Sequence, residues 1–231
     1  MRFDPPLRTG VLERRYKRFL ADVRLDDGEE FTAHVANTGA MLGCCEPLSR
    51  IALSHHQDSG RKLPWSWQLI EVGDAWVCVN TLLANRIVEE AVRSGRIGPL
   101  RGYPELRREV AYGDRSRIDL HLDGRDRPCF VEVKNVTLRE GRRAVFPDTV
   151  SERGTRHLNE LIKVADRGDR AVMLFLVNRG DCGSFAPADA HDPVYARTLR
   201  EAASQGVEVL AYRTRPTLEG IDVEKKLPVH L

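Results

Sequence analysis

Asp119, Glu132 and Lys134 lie in two short stretches, Ser116-Arg117-Ile118-Asp119-Leu120 and Phe130-Val131-Glu132-Val133-Lys134, that read as neighbouring strands. Two carboxylates and an ammonium so placed suit metal-dependent phosphodiester cleavage. The acids would hold Mg²⁺ or Mn²⁺ through oxygen, and the lysine would stand by the attacking water and offset charge on the phosphate. Ile118, Leu120 and Leu122 alternate with Asp119 and His121 at the two-residue period of a strand, and Glu132 and Lys134 share one strand face. An acid-x-Lys triplet alone is common on solvated strand edges. This one is flanked by Cys129, Phe130, Val131, Val133 and Val136, the make-up of a central strand, where a charge costs free energy unless it has a task.

The flanking sequence supplies the elements that must position these groups. A helix is predicted from Asn80 or Thr81, with Leu82, Leu83, Ile87, Val88, Ala91 and Val92 at helical spacing, stopping at Gly95. Strands follow at 108–112, 117–122 and 129–136, the last two joined by the Asp123-Gly124 turn as a hairpin. A helix capped by Thr155 and closed by Gly168 leads to an apolar strand at 171–177. The last helix opens at Asp192-Pro193 and ends at Gly206, before a strand at 207–212. Ahead of residue 80, strand candidates at 11–25, 31–36, 51–54, 68–72 and 75–79 are separated by turn signals and suggest a five-stranded Greek-key barrel of the OB type. Trp65, Trp67, Phe31 and Tyr16 either stack on a single strand or fill that barrel. The expected architecture is therefore two-domain α/β, with a small OB-like barrel over 1–79 and an αβββαβ domain with a mixed sheet over 80–231.

Of the 231 residues, 42% are hydrophobic and 30% charged, the balance of a soluble globular protein rather than a disordered one. No apolar run is long enough for a membrane span, and Met1 to Pro6 lacks the apolar core of a signal peptide, so a cytoplasmic protein without membrane contact is expected. The five cysteines show no C-x-x-C spacing, which argues against a disulfide framework and a zinc site. A net charge of +2 does not itself announce a nucleic-acid partner. The distribution says more: Arg14, Arg15, Lys17 and Arg18 crowd one segment, and Arg139, Arg142, Arg143, Arg153, Arg156 and Lys163 follow the proposed site. Such clusters either face solvent or track a phosphate backbone.

The order helix, three strands, helix, strand, with Asp119 on the second strand and Glu132-Val133-Lys134 on the third, resembles the PD-(D/E)XK nuclease superfamily. At finer grain the whole chain resembles the sugar fermentation stimulation protein (SfsA) family. The carrying residues are Asn37-Thr38-Gly39, Arg61-Lys62, Tyr112-Gly113-Asp114-Arg115-Ser116-Arg117-Ile118-Asp119, Val131 to Leu138, Phe146-Pro147-Asp148, and Glu152-Arg153-Gly154 with His157-Leu158. The resemblance implies an OB-like domain, a nuclease-like domain, DNA binding, and a link to regulation of sugar catabolism, including maltose use. It implies a metal held by Asp119, Glu132 and the Val133 carbonyl, with a third acid from the first helix. Glu89 is favoured there over Glu90 and over Glu109, which lies on the first of the three strands that follow. Arg153 and His157, at the start of a helix, are expected to meet phosphate, joined in nucleic-acid binding by Arg61, Lys62, Arg117, Arg143 and Arg156. Two features depart from the pattern: Ile118 stands where the superfamily's name has Pro, and a glycine expected around Pro47-Leu48-Ser49 is missing. Function stays open between a nuclease and a non-cutting DNA-binding regulator with a vestigial nuclease fold. No helix-turn-helix is evident, so either would follow backbone and shape. Cutting both strands would be easiest for a homodimer.

Overall fold

The computed structural model describes residues 1–56, 60, 62–112 and 116–231. In the N-terminal part, β1 (Arg8–Tyr16), β2 (Leu20–Leu25), β3 (Glu30–His34), β4 (Arg50–His55) and β5 (Trp65–Val72) form one closed sheet. β1 pairs antiparallel with β2 and β4, β2 with β3, and β4 with β5, while a parallel His34 to Ser66 bridge joins β3 to β5. Around the ring the order is 1-2-3-5-4-1, the Greek-key closure of the OB barrel. β6 (Ala75–Cys78) extends β5 outside that ring.

The stretch expected as one strand over 11–25 is a hairpin. Lys17 and Arg18 both take left-handed backbone angles, φ 48° and 63°, and turn the chain where no glycine or asparagine advertises a turn. Leu12, Val23, Ile51, Leu53, Trp67 and Ile70 fill the interior. Trp67 is fully buried and donates its ring N–H to the Leu69 carbonyl at 2.8 Å, and Trp65 stacks on Phe31 with centroids 4.9 Å apart. The tryptophans are thus barrel filling and not a platform for bases.

Leu48 sits where the missing glycine was noted. Its φ is 65°, and its side chain is 72% exposed, so packing gives nothing back for the strain. A Cβ in the left-handed region costs roughly 1–2 kcal/mol, part of which glycine's extra unfolded-state freedom would cancel. Leu48→Gly is therefore expected to stabilise the protein by about 1 kcal/mol, read as a higher urea midpoint at unchanged slope.

The C-terminal part is a mixed sheet with helices on both faces. Its strands are β7 (Glu105–Tyr112), β8 (Ser116–Asp123), β9 (Cys129–Val136), β12 (Arg170–Val177), β14 (Glu208–Pro216) and β15 (Ile221–Lys226), in the spatial order 15-14-12-9-8-7. The β8–β9 hairpin and the parallel pairing of β9 with β12 put Glu132 and Lys134 at the centre, as their apolar flanks required. α1 (Ala84–Arg93) lays Ile87 and Val88 on one face against Leu120, Val131 and Leu174. α2 (Glu152–Asp166) and α3 (Pro193–Ser204) cover the other with Leu158, Leu161, Tyr195 and Leu199 around Phe175.

α2 begins a turn earlier than Thr155: its cap is Ser151, whose hydroxyl accepts the Gly154 N–H at 3.1 Å. Asp192 caps α3 ahead of Pro193, as expected. A small sheet of β10 (Arg139–Glu140), β11 (Arg143–Phe146) and β13 (Ser184–Pro187) flanks the α2 start. Its strands and β15 were not anticipated, being short or highly charged. The barrel and the sheet touch directly: Cys78 N–H donates to the Asn178 carbonyl at 2.9 Å, and Thr81 N–H to Ala36 at 3.1 Å.

Candidate active site

The β8–β9 ladder runs from Leu122 opposite Cys129 to Leu120 opposite Val131, and there the strands diverge. Asp119 is the first residue past the fork. Its Oδ2 accepts the Val133 N–H at 2.7 Å, taking the place a ladder carbonyl would hold. Its Oδ1 accepts from Asn85 Nδ2 at 2.7 Å, in the first turn of α1. Backbone and helix together fix that carboxylate.

Glu132 points to the α2 side and is 2% exposed. Its Oε1 pairs with His157 Nδ1 of α2 and accepts from Lys134 Nζ at 2.8 Å. Arg153 Nε donates to His157 Nε2 at 3.3 Å, which leaves Nδ1 to face the carboxylate. The other oxygen, Oε2, is buried with no hydrogen-bond partner among the described residues, as are the hydroxyls of Tyr112 and Tyr195. Burial and the nearby Glu132 charge push the Asp119 carboxyl up to about 6. Burial pushes Glu132 up too, but His157 and Lys134 outweigh it and hold Glu132 below its usual range. Tyr112 and Tyr195 are both raised by burial and then by Glu132, which places both rings in its field.

Asp119, Glu132 and Lys134 lie at the floor of a cleft of about 740 Å³ between the two domains. One wall is the barrel, through Arg15, Arg18 and the 37–40 segment; the other runs from Val145 to Gly154, where α2 begins. Arg15 Nη2 binds the carbonyls of Arg18, Asn37 and Gly39 at 3.1, 3.0 and 3.0 Å and so shapes its own wall. Asp148 ties the walls together by accepting the Met41 N–H at 2.8 Å. Gly39 leaves room for it, since a Cβ there would lie 2.9 Å from Asp148 Oδ2.

Asp119, Glu132, Val133 and Lys134 all line this cleft, and so does Arg153. His157 lies beneath it, buried, as a partner of Glu132; it does not face phosphate as expected. Glu89 does not reach the site: Arg93 holds it at 3.0 Å and Arg108 at 3.4 Å. Glu90 pairs with Arg86 and the amino terminus, and Glu109 accepts at 3.3 Å from the same Asn85 Nδ2 that serves Asp119 but does not line the cleft. The first helix therefore contributes Asn85 rather than an acid. Lys62, Arg117, Arg143 and Arg156 are exposed and do not line the cleft. Arg61 and the Gly113-Asp114-Arg115 motif lie outside the described residues. Sequence reasoning missed Asn85, a neutral side chain in a search for acids. It noted Arg15 and Arg18 as charge but did not place them at the site.

Among the described residues no three His, Cys, Asp or Glu side chains gather to enclose an ion. Mg²⁺ does not require that: it is held by one or two carboxylates and keeps several waters. The unpartnered Oε2 of Glu132, close enough for its charge to raise Asp119, is the feature a cation would resolve, so the residues present fit one.

Residues 14–79 match the SfsA N-terminal OB domain, and residues 82–220 match the sugar fermentation stimulation protein RE domain. The sugar fermentation stimulation protein homolog of Pelobacter propionicus is 54% identical over 227 residues, covering 98% of this chain and 99% of that one. Its counterpart in Thioalkalivibrio sulfidiphilus is 54% identical over 234 residues, covering 100% and 98%. Among solved structures, Pyrococcus furiosus SfsA in complex with Ca²⁺ superposes with a TM-score of 0.90 at 29% identity, covering 100% of this chain and 98% of that one.

Proposed function

The chain belongs to the sugar fermentation stimulation protein family, and we propose that it binds nucleic acid, DNA foremost, and hydrolyses phosphodiester bonds in the cleft with Mg²⁺ or Mn²⁺. The observation that carries this is the pair of acids at the β8–β9 fork, Glu132 buried with an unpartnered oxygen and Asp119 half-buried and pushed up to about 6, beside a lysine. A buried carboxylate left this way is destabilising, and a divalent cation on Asp119, Glu132 and the Val133 carbonyl would remove the penalty. The Ca²⁺ in the structure of the Pyrococcus furiosus relative supports a cation in this fold.

Bound there, the cation would polarise the phosphoryl oxygen and acidify the attacking water. The chain's own groups do the rest. Asn85 and the Val133 N–H hold Asp119 in place, and His157, itself held by Arg153, holds Glu132. Lys134, partly exposed in the cleft, orients water and offsets charge as the phosphate becomes five-coordinate.

A second reading has its own observation. Lys134 Nζ already sits 2.8 Å from Glu132 and 3.5 Å from His157, an arrangement complete without substrate. In that reading the chain is a DNA-binding regulator of sugar catabolism, including maltose use, in which the acids only stabilise the fold. The two separate in a cleavage assay with Mg²⁺ or Mn²⁺ over single-stranded, duplex and branched DNA and RNA. Metal-dependent cutting is expected; binding without cutting at any metal concentration would leave the regulator.

A further inference from the structure

We propose that Asn135 is a substrate-binding residue whose side-chain amide, fixed from behind by the buried Asn178 and Thr214, donates to an oxygen of the phosphate next to the one held at the carboxylates. This rests on the phosphodiester reading of the cleft floor and adds to it a neutral contact, of a kind that charge in the sequence does not announce.

Asn135 follows Lys134 on β9 and lines the cleft. It shares a strand face with Val133 and lies about 7 Å beyond it along the strand. Its Oδ1 accepts from Asn178 Nδ2 at 2.6 Å. Asn178 Oδ1 in turn accepts from the Thr214 hydroxyl at 2.9 Å, a shorter contact than the 3.3 Å from that hydroxyl to the Val177 carbonyl. Both Asn178 and Thr214 are wholly buried. The donating hydroxyl fixes which end of Asn178 is the oxygen, and Asn178 then fixes which end of Asn135 is. Donation therefore runs outward from Thr214 to Asn178 to Asn135 and ends on the Asn135 amide. The brace behind it is firm, because the Asn178 backbone donates to the Val136 carbonyl at 2.9 Å and accepts from the Cys78 N–H of the barrel at 2.9 Å.

The Asn135 amide itself has no hydrogen-bond partner among the described residues, yet it is not sealed from solvent. What it can take is narrow. An asparagine that reads a base edge uses both ends of its side chain, donating and accepting together. Here the accepting end is occupied by Asn178, and only donation remains. A phosphodiester oxygen accepts and never donates, and its charge strengthens the bond. Such a contact positions the backbone and is blind to sequence.

The test uses the full-length chain in Ca²⁺ and two short fluorescein-labelled DNAs of unrelated sequence, each as single strand and as duplex, read by anisotropy at low and at physiological salt. Asn135→Ala is expected to weaken binding about tenfold, the scale of a hydrogen bond to a charged group. The factor should be the same for both sequences and at both salts, because a neutral donor displaces no counterion. Asn135→Ala strands the buried Asn178 amide, so Asn135→Asp is the second variant: it keeps an oxygen for Asn178 but lacks the outward donor. It should bind at least as weakly as Asn135→Ala, whereas a purely structural role would leave it close to wild type. Wild-type affinity in either variant, or an Asn135→Ala loss that disappears at the higher salt or on one of the sequences, overturns the proposal. Cleavage in Mg²⁺ is scored separately on the same probes. The expected losses with no cutting by the wild type support this inference while overturning the hydrolytic reading. Cutting with affinity indifferent to Asn135→Ala overturns this inference alone, and a wild type that binds none of the probes overturns both.

Discussion

Asp119→Asn is expected to lower metal-dependent cleavage about a thousandfold, the scale of losing one preorganised group that stabilises transition-state charge. The substitution keeps size and shape, so the loss would be chemical and not a collapse of the site. Asp119 is the acid least encumbered by other charges: its partners are an amide and a backbone N–H, whereas Glu132 is paired with His157 and Lys134. Lys134→Ala should fall by a similar factor for a different reason, the loss of the cation at the developing phosphate charge. In EDTA, both variants should still bind DNA, Asp119→Asn slightly more tightly, because an anion near phosphate has gone. Single-turnover cleavage with protein in excess measures the factor, and a variant that cuts at the wild-type rate would place the chemistry elsewhere.

The same substitution should make the metal-free protein more stable, by up to about 3 kcal/mol near pH 8 and by almost nothing near pH 4. Asp119 in the folded chain titrates at about 6, against 3.8 for the ordinary side chain. Between those values the folded protein keeps a proton that the unfolded chain has lost. Asp119's contribution is therefore fully present below about pH 4, falls as pH rises, and above about pH 6 becomes a penalty of roughly 3 kcal/mol. Glu132 runs the other way, since its partners hold it below the usual range: its contribution is present above its unfolded value of 4.5 and is lost as pH falls. An asparagine removes the Asp119 penalty without stranding a donor. Its oxygen can take the Val133 N–H, and its amide can donate to Asn85 once that side chain is turned over, which gives up only the exposed 3.3 Å bond from Asn85 Nδ2 to Glu109. Urea unfolding in EDTA across this pH range provides the measurement, and a gain independent of pH would refute the electrostatic origin. Ca²⁺ should then stabilise the wild type and close the gap, leaving the variant little changed.

Much of this was legible in the sequence because strand period and flanking composition are local properties. Asp119, Glu132 and Lys134 were placed by alternation and by the apolar neighbours of the triplet, and all three meet in one cleft. Glu89 has the charge expected of a metal ligand on the first helix, but the fork faces the beginning of α1. Asn85, one turn earlier, reaches Asp119, while Glu89 lies beside Arg93 and Arg108. His157 was seen as a residue at a helix start, where anions gather, yet its ring turns inward to Glu132 because the helix packs that side onto the sheet. The arginines of the β1–β2 hairpin were visible only as charge. Their place above a floor more than a hundred residues away depends on how barrel and sheet dock, which no local pattern encodes. The hairpin turn itself was hidden, because Lys17 and Arg18 adopt angles that sequence rules reserve for glycine and asparagine.

The contact of Asp148 with Met41, over the space that Gly39 leaves empty, also bears on how such a chain can be inherited. The cleft belongs to neither domain, and one wall is cut to fit the other. Recombination that exchanged barrels between distant relatives would pass on two sound folds and a poorly seated jaw, unless the glycine and the aspartate travelled together. Gly39 on one domain and Asp148 on the other thus work as a single element of the seam between them.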